Sequence, residues 1–197
     1  MLKIAITGNI GSGKSTVLHL FKLLGVPIFS ADMAGHRALL RPDVKTALRS
    51  VFGDKVFDNN GEPNRKIIGE IVFADGEKLQ QLNQIVHPVI KEEIMQWFEQ
   101  QTPKTPYIIC EAAVLFEAHF ETLFDKIITV SAPEPLQIKR IEIRDGISKE
   151  TIVQRMKSQI DEDIKISKSD YYIVNDDVQS VVSQVFNIHQ NVIKLSV

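Results

Sequence analysis

The stretch Gly8-Asn9-Ile10-Gly11-Ser12-Gly13-Lys14-Ser15 constrains this chain more than any other. It has the spacing G-x-x-x-x-G-K-[ST], the pattern of a phosphate-binding loop. Residues 2–7 before it read as a short buried strand. Residues 14–24 after it read as a helix, with Val17, Leu18, Leu20, Phe21 and Leu24 on one broad apolar face and Gly25 as terminator. Such a loop between strand and helix can wrap a polyphosphate, because its glycines tolerate positive φ and carry no Cβ to hold the oxygens away. The helix start adds unpaired N–H groups and a partial positive charge. In this pattern Lys14 reaches the β- and γ-phosphates and the Ser15 hydroxyl ligates Mg²⁺. Gly8, Gly11, Ser12, Gly13, Lys14, Ser15 and Thr16 are therefore the expected nucleotide-binding residues. The competing reading, a Gly-rich turn that happens to contain Lys-Ser, does not account for the flanking strand and helix.

The loop alone says nucleoside triphosphate, not which reaction. Composition narrows the class. The chain of 197 residues suits one domain with insertions, and 44% hydrophobic residues supply a sizeable core. A net charge of −2, from 23 basic and 25 acidic residues, argues against a nucleic-acid binder. Cys110 is the only cysteine, which rules out an intrachain disulfide or a cysteine-built metal site. No apolar run approaches the ~18 residues of a membrane span, and no secretion signal is evident. The expectation is a soluble, cytoplasmic protein that needs no membrane, nucleic acid or obligatory protein partner.

Beyond the first helix, residues 26–30 read as a second strand that ends just before Asp32. From residue 33 to about 103 the pattern is helical. Pro42 opens a helix with Val44, Leu48, Val51 and Phe52 at helical spacing. A turn at Asp58-Asn59-Asn60-Gly61 precedes a helix from Arg65. A long helical pattern, residues 77–97, should kink or restart at His87-Pro88, where proline removes a donor. Residues 107–112, 127–131 and 171–174 read as three further strands. A helix over 135–144 ends at Asp145-Gly146, and Ser148 caps the next, with Ile152, Met156, Ile160 and Ile164 at four-residue spacing. Residues 178–193 form a last amphipathic helix. Short apolar strands alternating with helices predict an α/β protein with a five-stranded parallel sheet covered on both faces. It reads as a three-layer P-loop NTPase fold. The expected parts are a core (about 1–32, 104–136 and 165–197), an inserted helical substrate-binding lobe (about 33–103) and a helical lid (about 137–164).

Guanine-specific GTPases add an N-K-x-D motif, which is missing. Motor-type ATPases end an apolar strand in Asp-Glu, whereas here Ile109-Cys110-Glu111 carries one carboxylate. A short chain with an inserted helical lobe and late arginines is organised like a small-molecule kinase. Asp32 stands at the carboxyl end of a strand, where open α/β sheets bind ligands. It can serve as proton acceptor for a hydroxyl or as a helix cap. Arg140 and Arg144 lie one helical turn apart and share a face. They read either as a lid closing on phosphates or as a solvated surface with Glu142 and Asp145. Cys110 reads as a small buried strand residue, and Trp97 with Phe98 as core.

The whole chain resembles the dephospho-coenzyme A kinase family. The resemblance rests on residues 6–16, Ser30-Ala31-Asp32, Gly61 with Arg65, Val72-Phe73, His87-Pro88, Leu115-Phe116-Glu117, Gln137 with Arg140 and Arg144, and Gln159, Asp170 and Asn175. Two departures exist. Ala113 stands where the family has proline after the third strand, and Asn64 stands where it often has Asp. The resemblance implies ATP and Mg²⁺ as cofactors and the ribose 3′-hydroxyl of dephospho-coenzyme A as acceptor. The implied catalytic residues are Asp32, Lys14 and Arg140. Arg144 and Asn175 would join the nucleotide contacts, with a plain turn residue as the equal alternative for Asn175. Arg65 and His87 would lie on the substrate side, the alternatives being a surface arginine at a helix start and a histidine packed at the proline kink. Glu111 would order magnesium-bound water. A kinase for another nucleotide or nucleoside, or a nucleotide-gated switch, would share the loop and sheet.

Overall fold

The computed structural model describes residues 1–102 and 105–196. Five strands form one parallel sheet in the order β2-β3-β1-β4-β5: β1 (Leu2–Thr7), β2 (Ile28–Ser30), β3 (Tyr107–Glu111), β4 (Lys126–Ser131) and β5 (Tyr171–Val174). The chain leaves β1 toward the β2 edge and leaves β4 toward the β5 edge. Their carboxyl ends therefore open a crevice at a topological switch point. Nine α-helices are described: α1 (Lys14–Leu23), α2 (Ala31–Ala38), α3 (Pro42–Phe52), α4 (Arg65–Ala74), α5 (Gly76–Glu99), α6 (Glu134–Asp145), α7 (Lys149–Lys157), α8 (Glu162–Ser167) and α9 (Val181–Leu195).

The central strands are apolar on both faces because both are covered. Alternate residues Ile4, Ile6, Ile109, Ile128 and Val130 pack under Val17, Phe21, Val185 and Ile188 of α1 and α9. On the opposite face Thr129 bonds the Ser169 hydroxyl two residues past α8, and Cys110 is fully buried, as a small apolar residue should be.

The chain divides into two compact units, Met1–Ser30 with the chain from Gln100 onward, and Ala31–Glu99. The second unit is all helical but for short connecting pieces, and α2, α3 and α4 each pack on α5. Among the described residues no helix is long and apolar enough to cross a membrane.

Four boundaries differ from the periodicity. The second strand begins at Ile28, because Val26 is used to end α1. Its N–H donates to the Phe21 carbonyl and that of Gly25 to Lys22, a Schellman cap around a glycine at φ +80°. The long helix α5 neither stops nor restarts at Pro88. Pro88 and Gln84, whose carbonyl loses its donor, are both exposed, so water can satisfy that carbonyl while Val86, Val89 and Ile90 stay buried. The four-spaced isoleucine run is two helices, α7 and α8. Asp161 caps the second by accepting from Asp163 N–H, and Ile164 is 46% exposed. The last helix starts at Val181 with Ser180 as its cap, after an Asp176-centred turn that leaves Val178 in solvent. Ser148 caps α7, as its position before that helix predicts.

Candidate nucleotide and acceptor site

The loop between β1 and α1 has the shape its glycines dictate. Gly8, Gly11 and Gly13 sit at φ +147°, +80° and +91°. A Cβ on Gly8 would lie 2.2 Å from the Val130 carbonyl oxygen, and one on Gly13 would lie 2.0 Å from Asn175 Nδ2. Glycine is required there for space as well as for φ. Lys14 Nζ donates to the Gly8 carbonyl at 2.8 Å and to Asn9 at 3.3 Å, which holds the ammonium over the loop. Ser15 and Thr16 are exposed in the first turn of α1.

Three later segments brace this loop. Asn175, just past β5, donates from Nδ2 to the Ser12 carbonyl. Arg140 on α6 donates to the carbonyls of Gly11 at 3.4 Å and Asn175 at 3.1 Å, and pairs with Asp177 at 2.7 Å. The Ile10 N–H donates to Gln159 Oε1 at 2.8 Å, while its side chain packs against the apolar cluster of Ile138, Ile141 and Ile152 from α6 and α7. Lys14, Arg140 and Asn175 are thus brought together around the loop. Arg144 is not: it makes a bidentate contact with Asp145, which raises its pKa.

Beside the loop lies a cavity of about 500 Å³, lined by Asn9, Gln137, Met156, Gln159 and Glu162 among others. Burial pushes the Glu162 carboxyl above its usual pKa, against a hydrogen bond from Gln137 Nε2 at 3.1 Å. Further along the same unit, Lys165 is fully buried. It donates to Glu117 Oε1 at 3.0 Å and to the Ala113 carbonyl at 3.3 Å. The same Glu117 oxygen accepts from Ile160 N–H, next to Gln159. The sequence marks Glu117 only through the family resemblance and does not mark Lys165, which sits among charged residues that read as a solvated face.

At the carboxyl edge of the sheet Ser30 and Glu111 are register partners, and the Ser30 hydroxyl donates to Glu111 Oε2 at 2.9 Å. Among the described residues no group of three or more His, Cys, Asp or Glu could hold a metal alone. The Ser15 hydroxyl and the Glu111 carboxylate are oxygen donors, the type of which Mg²⁺ commonly takes one or two, completing its shell with phosphates and water.

In the helical unit, Asp32 is exposed in the first turn of α2, inside the helix and not at its cap. Arg65 opens α4, whose cap is Asn64: its side chain accepts from the N–H groups of Lys66 and Ile67. Asparagine thus performs the capping that Asp would, and that departure from the family pattern is structurally neutral. His87 is half-buried in the middle of α5. One group went unread in the sequence. His36, one turn after Asp32, contacts the Arg65 guanidinium through Nε2. Burial and then Arg65 lower its pKa, and Asp32 opposes them. Asp-x-x-x-His on one helix face was the available signal.

Comparison with known proteins identifies the family. The family model described as dephospho-CoA kinase matches residues 2–180. A protein of Dehalococcoides mccartyi named dephospho-CoA kinase is 38% identical over 173 residues, 87% of each chain. The crystal structure of TT1252 from Thermus thermophilus is similar with a TM-score of 0.85 at 28% identity, covering 96% of each chain. Dephospho-CoA kinase from Campylobacter jejuni is similar with a TM-score of 0.70 at 28% identity, covering 99% of this chain and 98% of that one. A glycine-shaped phosphate loop on a 2-3-1-4-5 parallel sheet, with a family match along almost its whole length, places this chain in the dephospho-CoA kinase family.

Proposed function

We propose that this protein transfers the γ-phosphoryl group of ATP to the ribose 3′-hydroxyl of dephospho-coenzyme A, giving coenzyme A and ADP. The observation that carries this reading is the family match over residues 2–180, which includes the phosphate loop. The loop amides and Lys14 bind the β- and γ-phosphates, and Thr16 and Asn175 complete the nucleotide side. Ser15 would hold Mg²⁺ directly and Glu111 through water, and the ion would supply neutralising charge for the phosphates. Asp32 orients the acceptor hydroxyl and takes its proton. Arg140 stabilises charge spread over the transferred oxygens, Arg65 and His87 hold the acceptor, and Arg144 meets the nucleotide when released from Asp145. Residues 137–164 act as a lid that excludes water, which would otherwise hydrolyse ATP, and residues 33–103 act as the substrate-binding part. The reaction belongs to the cytoplasm and needs no nucleic acid, membrane or protein partner.

The test is incubation with ATP and Mg²⁺ against a panel of dephospho-coenzyme A, nucleotides and nucleosides. Transfer to dephospho-coenzyme A above all others is expected, and Lys14→Ala should abolish it in a folded protein. Preferred transfer to another nucleotide, or hydrolysis with no transfer, would overturn the assignment.

A further inference from the structure

The helical unit Ala31–Glu99 contains four arginines, and one is held differently. Arg37 pairs with Glu93, Arg41 with Asp43 and Glu92, and Arg49 with Asp54. Among the described residues Arg65 has no carboxylate partner; its Nη2 goes to His36 Nε2. Guanidinium can only donate, so Nε2 must accept, and a neutral imidazole then carries its proton on Nδ1. A carboxylate would neutralise Arg65. A neutral ring fixes the guanidinium in place and leaves its full charge for another anion. The partial burial of His36 and the positive charge of Arg65 both favour that neutral form. Asp32 lies four residues earlier on α2, so the imidazole shares a helix face with it.

We propose that His36 is a positioning residue: it holds Arg65, uncompensated, to receive the phosphate groups of the acceptor, beside the Asp32 that handles the acceptor's hydroxyl. The selected acceptor class is a nucleoside bearing a pyrophosphate or phosphate ester, in preference to the bare nucleoside. The inference rests on the kinase reading above and deepens it. Leucine at position 36 would leave Arg65 without its anchor. Glutamine would restore an acceptor oxygen near the Nε2 position without a proton that titrates near neutrality.

Steady-state kinetics on the full-length protein test this, with dephospho-coenzyme A and with adenosine, the acceptor stripped of phosphate. For His36→Leu, KM for dephospho-coenzyme A should rise about tenfold or more, the scale of one charge-assisted hydrogen bond. The kcat and the KM for ATP should stay within about twofold, and whatever turnover adenosine supports should not change. Arg65→Ala should raise the KM for dephospho-coenzyme A at least as much, the double variant should be no worse than Arg65→Ala alone, and His36→Gln should recover most of the affinity. An unchanged KM for dephospho-coenzyme A in a folded His36→Leu protein would overturn the proposal. So would equal losses on adenosine, or a His36→Gln variant no better than leucine at the same melting temperature. Failure of the wild-type protein to phosphorylate dephospho-coenzyme A would instead overturn the kinase reading itself.

Discussion

Asn175 donates its side-chain amide to the Ser12 carbonyl at 2.8 Å, joining residues 163 positions apart in the chain. The bond ties the end of β5 to the phosphate loop. It also explains why Gly13 tolerates no Cβ, since that atom would fall on the same Nδ2. Asn175 is nearly buried, at 8% exposed, so the Ser12 carbonyl has little water to fall back on. Asn175→Ala should therefore cost about 1–3 kcal/mol, the penalty for a buried group left unpaired. At roughly 2–4 °C per kcal/mol for a chain of this size, the melting temperature should fall by several degrees. The KM for ATP should rise with it. Calorimetry and ATP titration on one preparation check both, and an unchanged melting temperature would show that the brace is not needed.

Asp32→Asn should lower kcat far more than it weakens ATP binding. Asp32 lies in the first turn of α2, where losing its charge removes ~0.3–1 kcal/mol of helix-dipole stabilisation. A positioned proton acceptor is worth ~10²–10⁴-fold in rate. The two roles predict different measurements, a small change in melting temperature against a large change in turnover. A variant that turns over normally would leave Asp32 with only its place in the helix.

Lys165 and Glu117 should show strong non-additivity. Lys165→Met alone leaves the half-buried Glu117 without its cation, a loss of roughly 3–5 kcal/mol for a buried pair. Lys165→Met combined with Glu117→Gln should be much milder, because the amide still accepts from Ile160 N–H. Denaturant midpoints for the two single variants and the double variant complete the cycle. Simple additivity would mean the pair contributes no coupling.

Stability should fall on the acid side of neutrality. Burial lowers the pKa of His189, whose Nδ1 lies 2.6 Å from the Tyr107 hydroxyl, and burial followed by Arg65 lowers that of His36. Both rings are favoured neutral in the fold, while the unfolded chain takes up protons at about the ordinary 6.5. Their contribution is present above that value and is lost as pH falls through the lowered folded values. Tyr107 acts in the opposite sense. Burial raises its pKa, so its contribution is present below the ordinary 10.0 and is lost as pH rises through the folded value. Urea midpoints measured from about pH 7.5 to 5 should decline, and His189→Gln should flatten part of that decline. A flat profile in the parent protein would exclude the histidine linkage.

The phosphate loop, the five strands and the parallel architecture were legible because each rests on a local pattern. Glycine spacing, apolar runs and turn residues act within a few positions of where they are read. Gly25 ended its helix and Ser148 capped the next for the same reason. Strand order, the continuity of α5 through Pro88 and the break between α7 and α8 depended on which backbone groups meet water and which meet partners. Periodicity carries no information about that. The same divide runs through the site. Lys14 and Asp32 could be named from motif and family resemblance. That Arg140 braces the loop while Arg144 turns to Asp145 was decided by packing, as was the burial of Lys165 against Glu117 and the hold of His36 on Arg65. A charged side chain finds its partner across dozens of residues by geometry and desolvation, and the linear sequence records only that the charge exists.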